Sequence, residues 1–139
     1  MIILQDTREQ RPWEFPGCAV RQATLSTGDY SVLGYEQTAC IERKSLHDLA
    51  CCLSGDFKRF NQQLNRLDGM QALVIVEGSL DELMMPTRAK GVHYAKLLPR
   101  LTKVFLEHKT PIVFAGSVEC ARNLAKWWLR GIAEGAKDV

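Results

Sequence analysis

The sequence predicts an α/β domain built on a mixed sheet. Strand-like runs fill the first third of the chain, between residues 1 and 43. Later strand-like runs at 72–76 and 112–115 alternate with segments whose apolar residues recur at helical spacing. A chain in which strands come first and then alternate with helices packs its helices against a sheet. Periodicity alone does not separate one α/β sandwich from another.

The N-terminal third is predicted to be strands joined by loops and tight turns. The apolar run at 1–6 is long enough for a buried strand. Pro12 and Pro16 indicate a loop after it, in which Trp13 is interpreted as an anchor. Gly34 lies between two strand-like runs and indicates a hairpin. The predicted strands of this part are 1–6, 19–25, 30–33 and 37–43.

The rest of the chain is predicted to alternate helices with two strands. Ser45 is a good helix N-cap with Asp48 at the third helical position. Pro99 either kinks its helix or marks the first turn. Ser117 is predicted to cap the last helix. The predicted elements are helices at 46–53, 57–67, 79–83, 92–107 and after 117, and strands at 72–76 and 112–115.

Composition indicates one globular domain over residues 1–139. Hydrophobic residues make up 46% of the chain and charged residues 24%, a balance typical of such domains. A net charge of +2 permits nucleic-acid binding without establishing it. We see no signal peptide or membrane-spanning run. The five cysteines form no Cys-x-x-Cys pair, which favours free thiols in a reducing compartment. We expect a cytoplasmic protein of bacterial or viral origin, or a nuclear one if the source is eukaryotic.

The candidate chemistry is concentrated between Gly28 and Asp48. Side chains alternate faces along a strand, so Glu42 and Lys44 are predicted to point to the same side, with Arg43 on the other. Asp29 could approach from a neighbouring strand. Two carboxylates can hold Mg²⁺, which prefers oxygen ligands and keeps several waters. The lysine could orient or deprotonate a water, or stabilise charge on a phosphate.

A third acid is predicted at the same edge of the sheet. Asp6 ends the first strand, in the segment Asp6-Thr7-Arg8-Glu9. On residue types alone, Asp29, Glu42 and Lys44 could also be a surface ion cluster beside a strand.

Together these motifs resemble the nuclease domain of the XPF family of structure-specific DNA endonucleases. The family signature is Gly-Asp, a variable gap, Glu-Arg-Lys, three residues and Asp. Every fixed position of the signature is present here, as Gly28, Asp29, Glu42, Arg43, Lys44 and Asp48. The resemblance implies the restriction-endonuclease-like fold, a mixed central sheet flanked by helices. It also implies that Asp6, Asp29 and Glu42 bind Mg²⁺, for which Mn²⁺ would substitute, and that Lys44 positions or activates a water.

Four further residues are predicted to support the site. Glu9 is expected to join it through a water or a hydrogen bond, and Arg8 to lie nearby. Arg43 could pair with Asp48 and fix the start of the helix, or it could reach a phosphate; the structural role is the one expected. The place of Asp48 in the capping box explains that residue without any chemistry.

A helix after the signature is predicted to contact DNA. Arg59, Gln63 and Arg66 share one face of the segment 57–67, which resembles the Arg/Gln helix of the family. The alternative is a solvated helix face. Weaker candidates for phosphate contacts are Lys90, Lys96, Arg100 and Lys103.

The resemblance implies DNA as partner, branched or flapped, and cleavage of one strand near the junction. Family members usually carry helix-hairpin-helix motifs, which we do not find here, so the preferred DNA structure stays open. A homodimer through the C-terminal helices is expected, with Trp127 at the edge of the last apolar stripe and Trp128 within it. The rival hypotheses are a non-catalytic scaffold subunit of the same fold and a Holliday-junction resolvase.

Overall fold

The structure, a computed structural model, describes residues 1–85 and 92–135 and places six strands and five helices in them. Lys90 lies outside the described residues, so its predicted phosphate contact is not addressed. The elements are β1 (Ile2–Asp6), β2 (Ala19–Ala23), β3 (Tyr30–Val32), β4 (Ala39–Ser45), α1 (Leu46–Cys52), α2 (Phe57–Asp68), β5 (Gln71–Glu77), α3 (Leu80–Met84), α4 (Tyr94–Glu107), β6 (Ile112–Phe114) and α5 (Val118–Glu134).

The six strands form one mixed sheet in the order β2-β1-β3-β4-β5-β6. The strand β3 runs antiparallel to both β1 and β4, which confirms the predicted hairpin, and the other pairs are parallel. The apolar strand β5 is hydrogen-bonded on both sides, as its continuous run of buried residues indicates. The predicted mixed α/β architecture is confirmed.

Alternation along β4 and β5 divides the core into two layers. Cys40 and Val74 face a cluster built with α1, α2 and α4, whereas Ile41 and Ile75 face a cluster built with α5 and the loop after β1. Helices therefore cover both faces of the sheet. The first face is the one that carries Glu42 and Lys44, and the second carries Arg43.

Most of the predicted element boundaries agree with the structure within two residues. Ser45 caps α1 by accepting a hydrogen bond from the Asp48 backbone N–H at 3.1 Å, and Ser117 caps α5 in the same way. Pro99 lies inside α4, beyond its first turn. The described residues contain no helix that is both long and apolar enough to cross a bilayer.

Candidate active site

Asp29 lies directly before β3 and is hydrogen-bonded to both β1 and β4. Its backbone N–H donates to the Ile41 carbonyl at 2.8 Å, and its carbonyl accepts from the Asp6 N–H at 2.8 Å. Its Oδ2 accepts from the backbone N–H of Arg43 at 2.8 Å. Gly28 makes the turn with a φ of 84°, a region that favours glycine. These bonds fix the Asp29 carboxylate beside the C-terminal half of β4, which carries Glu42 and Lys44.

Glu42 and Lys44 lie side by side on one face of β4, as the alternation predicts. The Lys44 Nζ donates to Glu42 Oε2 at 3.1 Å, and both side chains are nearly buried. The ammonium also lies 5.8 Å from the centre of the Phe60 ring. Burial opposes the charge on Lys44, but the neighbouring acidic groups, Glu42 foremost, together raise the pKa of the ammonium above its ordinary value. Lys44 is therefore a cation beside Glu42, suited to orienting a water or neutralising a phosphate.

Asp29 is the most perturbed acid of the site. Burial, followed by the neighbouring charge of Glu42, raises the pKa of its carboxyl to about 8. A cation bound between two neighbouring carboxylates relieves the repulsion between their negative charges. The electrostatics of Asp29 and Glu42 therefore fit a divalent cation.

This perturbation predicts that the metal-free protein loses stability as the pH rises toward 8. The folded protein keeps a proton on Asp29 between the ordinary pKa of 3.8 and about 8, while the unfolded chain has lost it. Stability decreases with pH wherever the folded state binds more protons. The pKa values of Asp6 and Asp68 are lowered, so these groups titrate below this window. Urea unfolding in chelator across this range should show the decrease, and Asp29→Asn should flatten it. An unchanged slope in Asp29→Asn would assign the effect to other groups.

Each of the two central carboxylates keeps one oxygen for a ligand. Within residues 1–85 and 92–135, Asp29 Oδ1 and Glu42 Oε1 accept no hydrogen bond. No fully buried side-chain oxygen or nitrogen in those ranges lacks a partner, so both free oxygens are open to the space beside β4. Two carboxylate oxygens, with water completing the shell, match the habit of Mg²⁺. The residues present therefore fit the implied cation.

Asp6 lines the same cavity as Asp29 and Glu42, and its role as a third metal ligand stays a prediction, because its carboxylate is engaged within the protein. Asp6 accepts from the Arg8 side chain at 2.7 and 3.1 Å, from the Leu25 N–H at 2.9 Å and from the Arg8 N–H at 3.3 Å. These four bonds occupy the acceptor sites of its carboxylate. The described residues contain no cluster of three or more acids, cysteines or histidines spaced to hold a metal. Asp6 anchors Arg8 beside the site.

The Arg43 side chain is engaged within the protein, but its partner is not the predicted Asp48. The guanidinium pairs with Glu77 at 2.6 and 3.2 Å and with Glu9 at 3.3 Å. It also stacks over Trp13, 4.7 Å from the ring centre. Asp48 is exposed at the start of α1. Sequence reasoning missed Glu77 because it lies 34 residues from Arg43, and only the pairing of Ser45 with Glu77 across β4 and β5 puts them on one face.

The helix α2 brings its predicted residues to the site. Arg59, Gln63 and Arg66 line a cavity of about 300 Å³ that includes Lys44. Gln63 and Arg66 also line an adjoining cavity of about 280 Å³ that includes Asp29 and Glu42. We call these two cavities together the cleft. Its floor is acidic, and one of its walls carries the two arginines of α2.

Of two other predicted residues, Arg8 lies at the cleft and Arg100 is bonded to the end of α1. Arg8 lines the cleft with a largely exposed side chain. Arg100, a weaker candidate for a phosphate contact, donates to the carbonyls of Leu53 and Ser54 at 3.1 and 2.5 Å and lies over Phe57. Arg100 thus holds the end of α1, and its phosphate contact stays a prediction.

Comparison of the sequence with family models gives a match to the ERCC4 domain over residues 5–126. The chain belongs to the ERCC4 domain family. This membership confirms the resemblance seen in the signature. A search of curated proteins found no match.

Solved structures confirm the fold of this ERCC4 domain. XPF from Aeropyrum pernix has a TM-score of 0.72 and 22% identity, over 96% of this chain and 62% of that one. A second structure of the same protein, in complex with DNA, has a TM-score of 0.71 and 22% identity over 96% and 65% of the two chains. The six-stranded mixed sheet with flanking helices is thus the XPF nuclease fold. The chain spans less than two thirds of the length of these XPF chains.

Proposed function

We propose that this ERCC4 domain is a metal-dependent endonuclease that cuts one DNA strand near a branched, flap or fork junction. The observation that carries the proposal is the cleft, where Asp29 and Glu42 each keep a free oxygen beside the Lys44 ammonium. Family membership and the DNA complex of Aeropyrum pernix XPF support DNA as the substrate.

The proposed division of labour follows from what each side chain offers. Asp29 and Glu42 would hold Mg²⁺ or Mn²⁺, which when bound supplies a Lewis acid and acidifies a water. Lys44 stays cationic beside Glu42, so it orients the attacking water and offsets negative charge that develops on the phosphate. Arg59 and Arg66 would contact the flanking phosphates from α2.

Two rivals predict different behaviour in one assay. A scaffold subunit would bind DNA without cutting it, although the open carboxylates and paired lysine favour catalysis. A Holliday-junction resolvase would make symmetric paired nicks in a four-way junction. Labelled flap, fork, four-way and linear DNAs, incubated with Mg²⁺, Mn²⁺ or chelator, test all three. Single cuts near the duplex-to-single-strand step, absent in chelator, are expected; cleavage that persists in chelator contradicts the proposal.

DNA affinity should depend strongly on salt and on α2. Lys and Arg contacts to phosphates release counterions, so affinity falls as salt rises. Arg59→Glu should weaken binding and reduce the salt slope, because Arg59 lines the cleft. Lys58→Glu is the matched control: it makes the same charge reversal one position away, on a residue that does not line the cleft. Fluorescence anisotropy in Ca²⁺ measures both variants; equal losses would remove α2 as the contact surface.

A homodimer through the C-terminal helices is part of the proposal. Trp127 is 48% exposed on α5, whereas Trp128 packs against the core, as the helical spacing predicts. The helix α4 exposes Phe105 and Leu106. These two helices directly precede and follow the edge strand β6. Exposed large apolar side chains are typical of protein interfaces.

Sedimentation at micromolar concentration should therefore give twice the monomer mass of 15.7 kDa. Trp127→Ala should shift the equilibrium toward monomer, because it removes a large aromatic side chain from the proposed interface. Leu33→Ala, at an exposed apolar residue beside β3, should leave the mass unchanged. A parent protein that sediments as a clean monomer, unaffected by Trp127→Ala, contradicts the dimer.

A further inference from the structure

A nearly buried ion pair lies on the face of the sheet opposite Lys44. Arg43 Nε donates to Glu77 Oε1 at 2.6 Å, and Nη2 donates to Glu77 Oε2 at 3.2 Å, which is a two-bond, planar arrangement. The Arg43 and Glu77 side chains are only 16% and 9% exposed. Such pairs cost desolvation and are weak contributors to stability, but their geometry is rigid. This pair is therefore better suited to fixing position than to raising stability.

The same guanidinium reaches the loop between β1 and β2. Arg43 Nη1 donates to the Arg11 carbonyl at 2.5 Å, and the group lies over the Trp13 ring. Trp13 in turn donates from Nε1 to Glu77 Oε2 at 3.3 Å and stacks on Tyr30. The loop is thus attached to β4 and β5 through Arg43 and Glu77.

The attached loop carries Glu9 into the cleft. Glu9 Oε2 accepts from Arg43 Nη1 at 3.3 Å and from the Tyr30 hydroxyl at 3.1 Å. Its other oxygen accepts no hydrogen bond within residues 1–85 and 92–135. Glu9 lines the cleft together with Asp29, and its charge is felt there. Arg43 and Tyr30 therefore fix the position of the Glu9 carboxylate through Oε2. The other oxygen, Oε1, is left free to bind a ligand in the cleft.

We propose that Arg43 and Glu77 are positioning residues. They fix the loop 7–17 and hold Glu9 in the part of the cleft that contains Asp29 and Glu42. This inference rests on the proposed function for its effect on cleavage, but its effect on the loop stands on geometry alone. The expected consequence is that the pair tunes cation affinity without touching the cation or the DNA. Partners one contact removed from metal ligands commonly have this effect.

Two variants disrupt the ion pair while they keep a side chain of similar length. Glu77→Gln removes the charge, and Arg43→Lys keeps the charge but cannot span Glu77 and Glu9 together. The Arg43 backbone N–H that bonds Asp29 is retained in both. The matched control is Glu134→Gln, which breaks the exposed pair with Arg130 on α5 at 3.0 Å.

Three measurements on the intact protein test the proposal. Mn²⁺ affinity, read by its paramagnetic resonance signal without DNA, should fall by roughly 10-fold or more in both variants and stay unchanged in the control. Amide hydrogen exchange over residues 7–17 should become faster in the same two variants. The Mn²⁺ concentration for half-maximal cleavage should rise, while KM for DNA is retained. Variants that merely melt at lower temperature, with parental Mn²⁺ affinity and loop exchange, overturn the proposal.

A double-mutant cycle separates action through Glu9 from a general structural effect. If the pair acts through Glu9, adding Glu77→Gln to Glu9→Gln should cost no further Mn²⁺ affinity. Full multiplication of the two losses would overturn the positioning role. Should the parent protein cut no DNA at all, the proposed function fails, whereas the Mn²⁺ and exchange measurements still decide the role of Arg43 and Glu77.

Discussion

Lys44→Ala should lower the rate of DNA cleavage by roughly 100-fold or more, the order expected for removal of one preorganised charge from a reaction centre. The ammonium is held 3.1 Å from Glu42 and 5.8 Å from the Phe60 ring centre, so its position is fixed before substrate arrives. Its loss also leaves the nearly buried Glu42 carboxylate without its cationic neighbour. Single-turnover cleavage of a labelled flap at saturating enzyme measures the chemical step.

Two comparisons make this result specific. Lys58→Ala removes an exposed lysine of α2 that does not line the cleft and should cleave at the parental rate. DNA binding by Lys44→Ala in Ca²⁺ should stay near the parental value, because one side chain among several phosphate contacts carries a small share of affinity. Cleavage by Lys44→Ala at the parental rate would contradict the mechanism.

Gly28→Ala should both destabilise the protein and disable the site. Gly28 has a φ of 84°, and a Cβ there would lie 2.7 Å from Cys40 Cβ and 2.8 Å from its Sγ. Backbone strain and overpacking together predict a loss of about 2–5 kcal/mol in the free energy of unfolding. Because Asp29 follows directly, relief of the clash moves its carboxylate away from Glu42. Urea unfolding and Mn²⁺ affinity measure the two effects.

Gly34→Ala separates strain from collision. Gly34 also has a positive φ, of 95°, but a Cβ there meets nothing within 4 Å. Its expected cost is the strain alone, about 1–2 kcal/mol, with parental Mn²⁺ affinity. Equal losses in the two variants would show that the contact with Cys40 is unimportant.

These variants also distinguish a working nuclease from a member of the family that only binds DNA. In a scaffold, Lys44→Ala would have no cleavage to remove, and Gly28→Ala would act through stability alone. In the proposed enzyme, both variants lose cleavage, and Gly28→Ala adds backbone strain at a positive φ. Cleavage and urea unfolding, measured on the same variants, therefore show how much of each loss comes from destabilisation.

The sequence by itself determined the order of elements and the centre of the site. Strand alternation put Glu42 and Lys44 on one face of β4, and helical spacing put Arg59, Gln63 and Arg66 on one face of α2. Both are local geometric rules, which hold within a single element. The signature spacing added Asp29, although its approach to Glu42 needed the pairing of β3 with β4.

Only the tertiary structure decided which charged groups are already engaged. Asp6 looked equivalent to Asp29 in the sequence, yet Arg8 and the Leu25 N–H occupy its carboxylate, while Asp29 keeps an oxygen free. Arg43 pairs with Glu77 and not with Asp48, which is nearer in the sequence, because β4 and β5 pair in parallel. Hydrogen bonds and ion pairs depend on distances between atoms from distant parts of the chain. Those distances follow from strand register and packing, which residue spacing alone does not specify.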